Sequence, residues 1–255
     1  MNNLIRDPIA ILVISFFTMW LSARIGFFVR KMQVNLDEHP LQDLDLIVTA
    51  TLTLLGLIIG FSFSMAISRY DQRKNCEEAE ANAIGTEYLR ADLLPVGDAA
   101  KVHARLRDYL DQRVLFYETR DENALRQIDA TTAQLQTELW SAVRTPAGVH
   151  PTAVLALALS GTNDVLNSQG YTQAAWWNRI PPGAWFLMAA VGICSNLLIG
   201  YDSRRRKAKV TRLLILPFIL CIAFSAIADI DSPRRGFIRV HPQNLTSLAQ
   251  SLHGH

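Results

Sequence analysis

The chain has 255 residues, half of them apolar, and a formal net charge of +2. This near-neutral balance gives no reason to expect a nucleic-acid partner. The three cysteines form no CxxC pair and have no histidine cluster beside them, so we expect no metal site, no cofactor and no disulfide framework.

The apolar residues are concentrated in four stretches that approach or exceed the ~20 residues needed to cross a bilayer. They are residues 8–29, 46–68, 183–201 and 213–230. We read the first as a retained helix and not a signal peptide, because a small-residue cleavage pattern is poor at Leu21-Ser22-Ala23. Burial of these helices in a soluble core is the alternative, and it is disfavoured because the stretches lack a polar face.

These stretches predict an all-α membrane protein of four transmembrane helices, with a helical bundle inserted between the second and third. Residues 1–68 hold transmembrane helices 1 and 2, and residues 69–175 form an extramembrane helical domain continuous with helix 2. Residues 176–230 hold transmembrane helices 3 and 4, and residues 231–255 form a C-terminal tail.

The second stretch carries small and polar residues at intervals of three or four, which places them on one helix face. They are Thr49, Thr53, Gly56, Gly60, Ser64 and Ser68. Such a face serves either helix packing, for which Gly56 and Gly60 form a GxxxG pair, or the lining of a pore. The residues alone leave both uses open.

Proline, glycine and helix-capping residues divide the polar segment 69–175 into predicted helices. The second helix continues to about Leu94 and stops at Pro95, and Asp98 is expected to cap the next helix. A third helix opens at Asp121 and ends before Thr145-Pro146. A fourth runs from near Pro151-Thr152 to Ser168-Gln169-Gly170.

The third stretch contains Asn196, which we expect to hydrogen-bond to a neighbouring helix, with a ligand role as the alternative. A dense basic loop follows it. Its residues Arg204, Arg205, Arg206 and Lys207 are predicted to anchor the topology or to bind membrane lipid headgroups. The same positive charge favours placing the helical domain outside the cytoplasm.

The sequence contains none of the common motifs of ion-coupled transport or catalysis that we considered. The span interiors hold no charged residue, which disfavours an ion-coupled transporter. No Walker, HExxH or GxSxG sequence occurs, and the six histidines are dispersed. We expect the acidic residues of the helical domain, such as Glu77 and Glu80, to form solvated ion pairs, and we expect no enzyme.

The sequence GFSFSMAISRYD at 60–71 resembles the bestrophin-like membrane proteins of bacteria. The resemblance continues in EANAIGT at 80–86, LRADLLP at 89–95, WNRIP at 177–181 and DSPRRG at 231–236. It implies a multi-pass protein of the bacterial inner membrane. The more distant resemblance to the bestrophin anion channels implies a homo-oligomer, a pentamer, with the helical domain in the cytoplasm.

Bestrophins line their pore with the second span, and the resemblance implies a neck at Thr53, Leu57 and Phe61. Phe61 matches an aromatic neck residue, whereas Thr53 and Leu57 depart from a bulkier pattern. Their calcium-binding acidic cluster is not matched by Asp229 and Asp231 alone.

Two hypotheses follow. In the first, the chain is an oligomeric ion channel, weakly selective or anion-permeable, with Phe61 or Phe63 as a hydrophobic constriction. Its pore-lining residues are Thr49, Thr53, Gly56, Leu57, Gly60, Phe61, Ser64 and Ser68. In the second, the chain is a non-conducting oligomeric scaffold or sensor, and Gly56 and Gly60 only pack helices.

Overall fold

The computed structural model describes residues 8–32, 41–149, 152–205 and 213–254, and these residues contain helices and no strand. The prediction of an all-α protein is therefore confirmed for the described residues. Their α-helices are α1 (Pro8–Met32), α2 (Leu41–Arg90), α3 (Val96–Glu118), α4 (Glu122–Val149), α5 (Ala153–Trp177), α6 (Pro182–Arg205), α7 (Ile215–Asp231) and α8 (Gln243–His253).

The second helix is the longest of these, with 50 residues, and a short 3₁₀ turn at Ala91–Leu93 follows it. As predicted, it passes from the apolar sequence into the polar sequence without a break. Other predicted boundaries are wrong. The third helix begins at Val96 after Pro95, so Asp98 lies inside it, and α4 continues through Pro146. The fifth helix passes Gly170 and ends at Trp177.

The chain divides into two compact units, and the residues of each unit mainly contact one another. The first unit comprises the described residues of Met1–Arg69 together with Arg179–Arg239. The second comprises Tyr70–Asn178 and Val240–His255. The residues that the sequence suggests as one tail, 231–255, are thus shared between the two units.

In the first unit, α6 and α7 both pack along α1. Glycine allows the backbones of α1 and α6 to approach closely. A Cβ atom on Gly26 would lie 1.9 Å from the carbonyl oxygen of Leu197, and one on Gly200 would lie 2.0 Å from that of Ala23. Neither glycine can carry a side chain without moving the backbone of the facing helix.

In the second unit, α3 packs on α4, α4 packs on α5, and α8 lies on α3. The C-terminal part of α2 belongs to this unit, and its Ile84 is fully buried in the hydrophobic core. The Glu77 carboxylate accepts hydrogen bonds from the backbone N–H groups of Asn244 and Leu245, at 2.9 and 3.0 Å. It therefore caps the N-terminus of α8, where a negative charge is favourable.

Three helical stretches among the described residues are long and apolar enough to cross a membrane. They are Pro8–Arg30, Leu44–Leu93 and Ala153–Ser203. The predicted fourth span corresponds to α7, which has 17 residues and lies at the short end of the usual length.

Candidate functional site

The apolar part of α2, residues 46–68, has one buried and one exposed side. Three residues separated by seven and four positions, Leu55, Ser62 and Ala66, are 2%, 4% and 0% exposed. Because an α-helix advances about 100° per residue, these three side chains lie on one stripe. The stripe is buried in the first unit, whereas the opposite side of α2 is exposed among residues 8–32, 41–149, 152–205 and 213–254.

The predicted pore-lining residues lie on this exposed side. Their centre is roughly 170° around the helix axis from the buried stripe. Leu57 and Phe61 are 53% and 65% exposed. Every one of the eight is exposed: Thr49, Thr53, Gly56, Leu57, Gly60, Phe61, Ser64 and Ser68.

The exposed side is uncharged, since residues 46–68 contain no acidic or basic residue. Its threonine hydroxyls donate to the backbone of the preceding turn. Thr49 Oγ1 bonds to the Asp45 carbonyl at 2.8 Å, and Thr53 Oγ1 bonds to the Thr49 carbonyl at 2.9 Å. The oxygen of each hydroxyl keeps acceptor capacity toward the outside of the helix.

Gly56 and Gly60 face open space, because a Cβ atom on either one would meet no other atom within 4 Å. Neither glycine packs against another helix of the part of the chain that the structure describes. Their predicted use in packing stays a prediction that requires a second copy. The close backbone contacts between α1 and α6 involve Gly26 and Gly200 instead.

Asn196 does not join the exposed side of α2. It is fully buried, and its side-chain amide donates to the Gly192 carbonyl at 2.8 Å and to the Met19 sulfur of α1 at 3.4 Å. This geometry is that of an interhelical contact between α1 and α6. Arg204 and Arg205 end α6. Their side chains, and Arg206 and Lys207 altogether, lie outside the described residues.

The second unit contains a buried ionic cluster that contradicts the expectation of solvated carboxylates. Glu80 and Arg113 form an ion pair in which neither side chain is exposed. Glu80 Oε2 also accepts from the hydroxyls of Thr172 at 3.1 Å and Tyr117 at 3.4 Å. Burial, reinforced by the charge of Glu80, raises the pKa of Tyr117 above the ordinary phenol value.

Glu87 is a third buried carboxyl in this unit, besides Glu77 and Glu80, and is 0% exposed. Its Oε1 atom accepts from Thr162 Oγ1 at 2.8 Å, and its Oε2 atom has no hydrogen-bond partner. Burial raises its pKa to about 7, against the lowering effects of the Thr162 hydrogen bond and the Arg90 charge. The described residues hold no group of three or more His, Cys, Asp or Glu side chains that could bind a metal ion.

The chain was compared with protein-family models, curated proteins and solved structures. A family model described as a bestrophin-like domain matches residues 16–245. No curated protein matches the chain.

The fold is similar to that of crystal structures of a bacterial bestrophin homologue from Klebsiella pneumoniae. The structure solved by Zn-SAD phasing has a TM-score of 0.63 and 13% identity, over 96% of this chain and 97% of that one. A tyrosine-to-alanine variant has a TM-score of 0.67 and 11% identity, over 95% and 98% of the two chains. A leucine-to-threonine variant has a TM-score of 0.67 and 12% identity, over 97% and 98%.

Proposed function

This chain belongs to the bestrophin-like family, and on that premise we propose that it forms a homo-oligomeric ion channel whose pore is lined by α2. The observation that carries the proposal is the exposure of all eight predicted residues on the side of α2 opposite its buried stripe. Closed rotational symmetry would bring these sides together around one axis. The family resemblance favours five copies.

The chemistry of this side fits a weakly selective or anion-permeable pore. Its threonine hydroxyl oxygens can accept hydrogen bonds from the water molecules around a hydrated ion, and its wall lacks fixed charge. Phe61, which is 65% exposed, would place an apolar ring across the pore, and such rings gate by dewetting. Leu57 and Thr53 precede Phe61 by about one and two helical turns on the same face, and together the three residues form the proposed narrow part of the pore.

The proposed topology has four spans in the bacterial inner membrane, with α7 as the fourth. Its 17 residues span about 25 Å at 1.5 Å per residue, which is close to the thickness of the hydrocarbon core. The residues between the second and third spans form the extramembrane helical domain. The basic side chains of Arg204, Arg205, Arg206 and Lys207 are proposed to bind lipid headgroups at the membrane surface.

Planar-bilayer recording of the purified protein tests the channel. The expected result is discrete single-channel currents that change when Phe61 is replaced by alanine. Absence of current under every ion gradient, from protein shown to be folded and oligomeric, would exclude the channel.

The second candidate is a non-conducting oligomeric scaffold or sensor. It is favoured by the open space at Gly56 and Gly60, a GxxxG pair that a helix of another copy could cover. Cysteine scanning of residues 49–68 with a membrane-impermeant thiol reagent separates the two. Labelling along the whole exposed side indicates a water-filled pore, whereas labelling confined to the two ends indicates helix packing.

A further inference from the structure

Arg90, the last residue of α2, lies near two carboxyl groups, the buried Glu87 of its own helix and the exposed Asp164 of α5. Its Nη1 atom is 3.6 Å from Asp164 Oδ2, in a pair whose side chains are 32% and 61% exposed. Glu87 Oε2 is buried and has no hydrogen-bond partner. Two carboxyl groups are thus within reach of one cation, which pairs with the exposed one.

The position of Gly161 in α5 shows how close the cation is to the second carboxyl group. A Cβ atom built on this glycine would lie 1.9 Å from Glu87 Oε2 and 2.6 Å from Arg90 Nη1. The two side-chain atoms therefore lie within about 4.5 Å of each other, the sum of those distances. A change in the rotamer of Arg90 can bring them to hydrogen-bond distance without moving either helix.

The contacts of Thr162 indicate which form of Glu87 this arrangement suits. Thr162 Oγ1 is 2.8 Å from Glu87 Oε1 and 3.0 Å from the Ala158 carbonyl oxygen. A hydroxyl group has one hydrogen to donate, but it can also accept. Both contacts are satisfied together when Glu87 is protonated and donates to Thr162, which then donates to Ala158. An ionised Glu87 has no hydrogen to donate, so one of the two contacts would be lost.

Burial favours the same form, because desolvation penalises a charged carboxylate. It raises the pKa of Glu87 to about 7, although the Thr162 hydrogen bond and the Arg90 charge lower the pKa. The charge of Asp164, on the facing helix α5, raises the pKa further. Glu87 therefore changes its charge close to neutral pH, and the nearest cation is already paired with another group.

We propose that Glu87, Arg90 and Asp164 form a proton-controlled switch between α2 and α5. While Glu87 is protonated, Arg90 pairs with Asp164 and links the end of α2 to α5. When Glu87 releases its proton to solvent, the guanidinium moves from Asp164 to Glu87, because a buried carboxylate needs a cation more than an exposed one does. The Thr162 hydroxyl turns from Ala158 to the same carboxylate.

The exchange replaces an ion pair between two helices by one within α2. The end of α2 is therefore held less firmly by α5 at alkaline pH than at acidic pH. All of these residues belong to the second unit. The switch does not depend on whether the chain conducts ions.

Structures of the purified full chain at pH 5.5 and pH 8.5 test the exchange. The Arg90 guanidinium is expected on Asp164 at pH 5.5 and at about 3 Å from Glu87 at pH 8.5. In Glu87→Gln, which cannot ionise, it should remain on Asp164 at both pH values. A wild-type guanidinium that keeps one partner at both pH values would overturn the proposal, as would the same movement in Glu87→Gln.

Isotope-edited infrared spectroscopy measures the titration of Glu87 itself, with Glu87→Gln used to assign its band. Asp164→Asn frees the cation and should lower the midpoint by about one pH unit, which is a tenfold change. Arg90→Gln removes the cation and should raise the midpoint by a similar amount. A general loosening of the fold would instead lower both midpoints toward the ordinary carboxyl value, and that result would contradict the switch.

Two control variants separate this switch from other titrating groups. His103 of α3 contacts the Tyr88 carbonyl oxygen at 2.8 Å and Asp92 Oδ1 at 3.4 Å, and a histidine is another source of pH dependence. His103→Gln should leave the exchange and the Glu87 midpoint unchanged. Asp129→Asn, which removes an exposed carboxylate from α4, should do the same. Loss of the exchange in His103→Gln would assign it to His103 and overturn the proposal.

Discussion

Glu80 of α2 and Arg113 of α3 form an ion pair that is completely removed from solvent. The pair joins the C-terminal part of the proposed pore helix to the first helix that follows it. The Arg113 guanidinium also lies over the Phe116 ring, 4.4 Å from its centroid. A buried pair of this kind is costly to break, because either partner alone is left as an uncompensated charge.

Arg113→Met is therefore expected to destabilise the second unit by about 3–5 kcal/mol, because it leaves the Glu80 carboxylate buried without its cation. Thermal unfolding in detergent, followed by circular dichroism, measures the loss. The double variant Glu80→Leu with Arg113→Met should be more stable than Arg113→Met alone.

The control is Arg105 of α3, which is 46% exposed and pairs on the surface with Asp108 of α3 and Glu138 of α4. Arg105→Met should cost at most about 1 kcal/mol. A loss of similar size for Arg105→Met and Arg113→Met would show that burial does not set the contribution of the Glu80–Arg113 pair.

Glu87 should make the stability of the second unit depend on pH. Its pKa is about 7 in the folded chain, against 4.5 for the free group. The folded state then binds more protons at Glu87 than the unfolded state between these values, so the contribution of Glu87 to stability is fully present below pH 4.5 and is lost as the pH rises through 7. The accumulated loss above pH 7 is about 3 kcal/mol.

Glu87→Gln keeps an acceptor for the Thr162 hydroxyl and removes the titration. Its melting temperature should exceed that of the wild type at pH 8, and the difference should shrink as the pH approaches 5. The matched control is Glu78→Gln, an exposed residue of the same helix. The assignment to Glu87 would be refuted if the melting temperature of the wild type rose between pH 5 and 7 and that of Glu87→Gln rose by the same amount.

Much of the fold follows from the sequence alone. Apolar runs located α1, α6 and the apolar part of α2, and the lack of a helix breaker before Pro95 predicted that α2 continues into the polar sequence. The burial of one side of α2 beyond residue 68 also follows a regular spacing. The buried residues there continue the stripe of Leu55, Ser62 and Ala66: they are Arg73, Glu77, Glu80, Ile84 and Glu87.

Tertiary packing explains what the sequence did not indicate. Pro146 is buried and lies in the last turn of α4, where losing one backbone hydrogen bond costs less than losing its packing. Gly170 is a weak helix former, yet α5 continues past it because Thr172 and Trp176 are buried beyond it. For the candidate site, the three- and four-residue spacing of small and polar residues predicted which residues share one side of α2. What contacts that side depends on other copies of the chain, which the sequence of one chain does not specify.

Gly26→Ala should destabilise the first unit by about 1–3 kcal/mol, because its methyl group would meet the Leu197 carbonyl oxygen at 1.9 Å and force α1 and α6 apart. Thermal unfolding and the yield of folded protein in detergent report the change. Gly56→Ala is the control, since its methyl group meets nothing within 4 Å in the single chain. If Gly56→Ala lowers the melting temperature of the oligomer as much as Gly26→Ala, a second copy packs against α2 at Gly56.

Phe61→Ala should increase single-channel conductance severalfold. The phenyl ring is the largest side chain on the exposed side of α2, and removing a ring from every copy widens and wets the narrowest part of the proposed pore. Recording in planar bilayers under symmetric salt measures the change directly, and the oligomeric state of each variant is checked beforehand.

Phe63→Ala is the matched control, because it removes the same side chain from the same helix at a position about 160° around the axis from Phe61. Phe28→Ala removes an exposed phenyl group from α1, where it is 57% exposed. Both should leave the conductance at the wild-type level. An increase for Phe63→Ala without one for Phe61→Ala would mean that another side of α2 lines the pore, and the eight residues assigned to it would have to be replaced by those around Phe63.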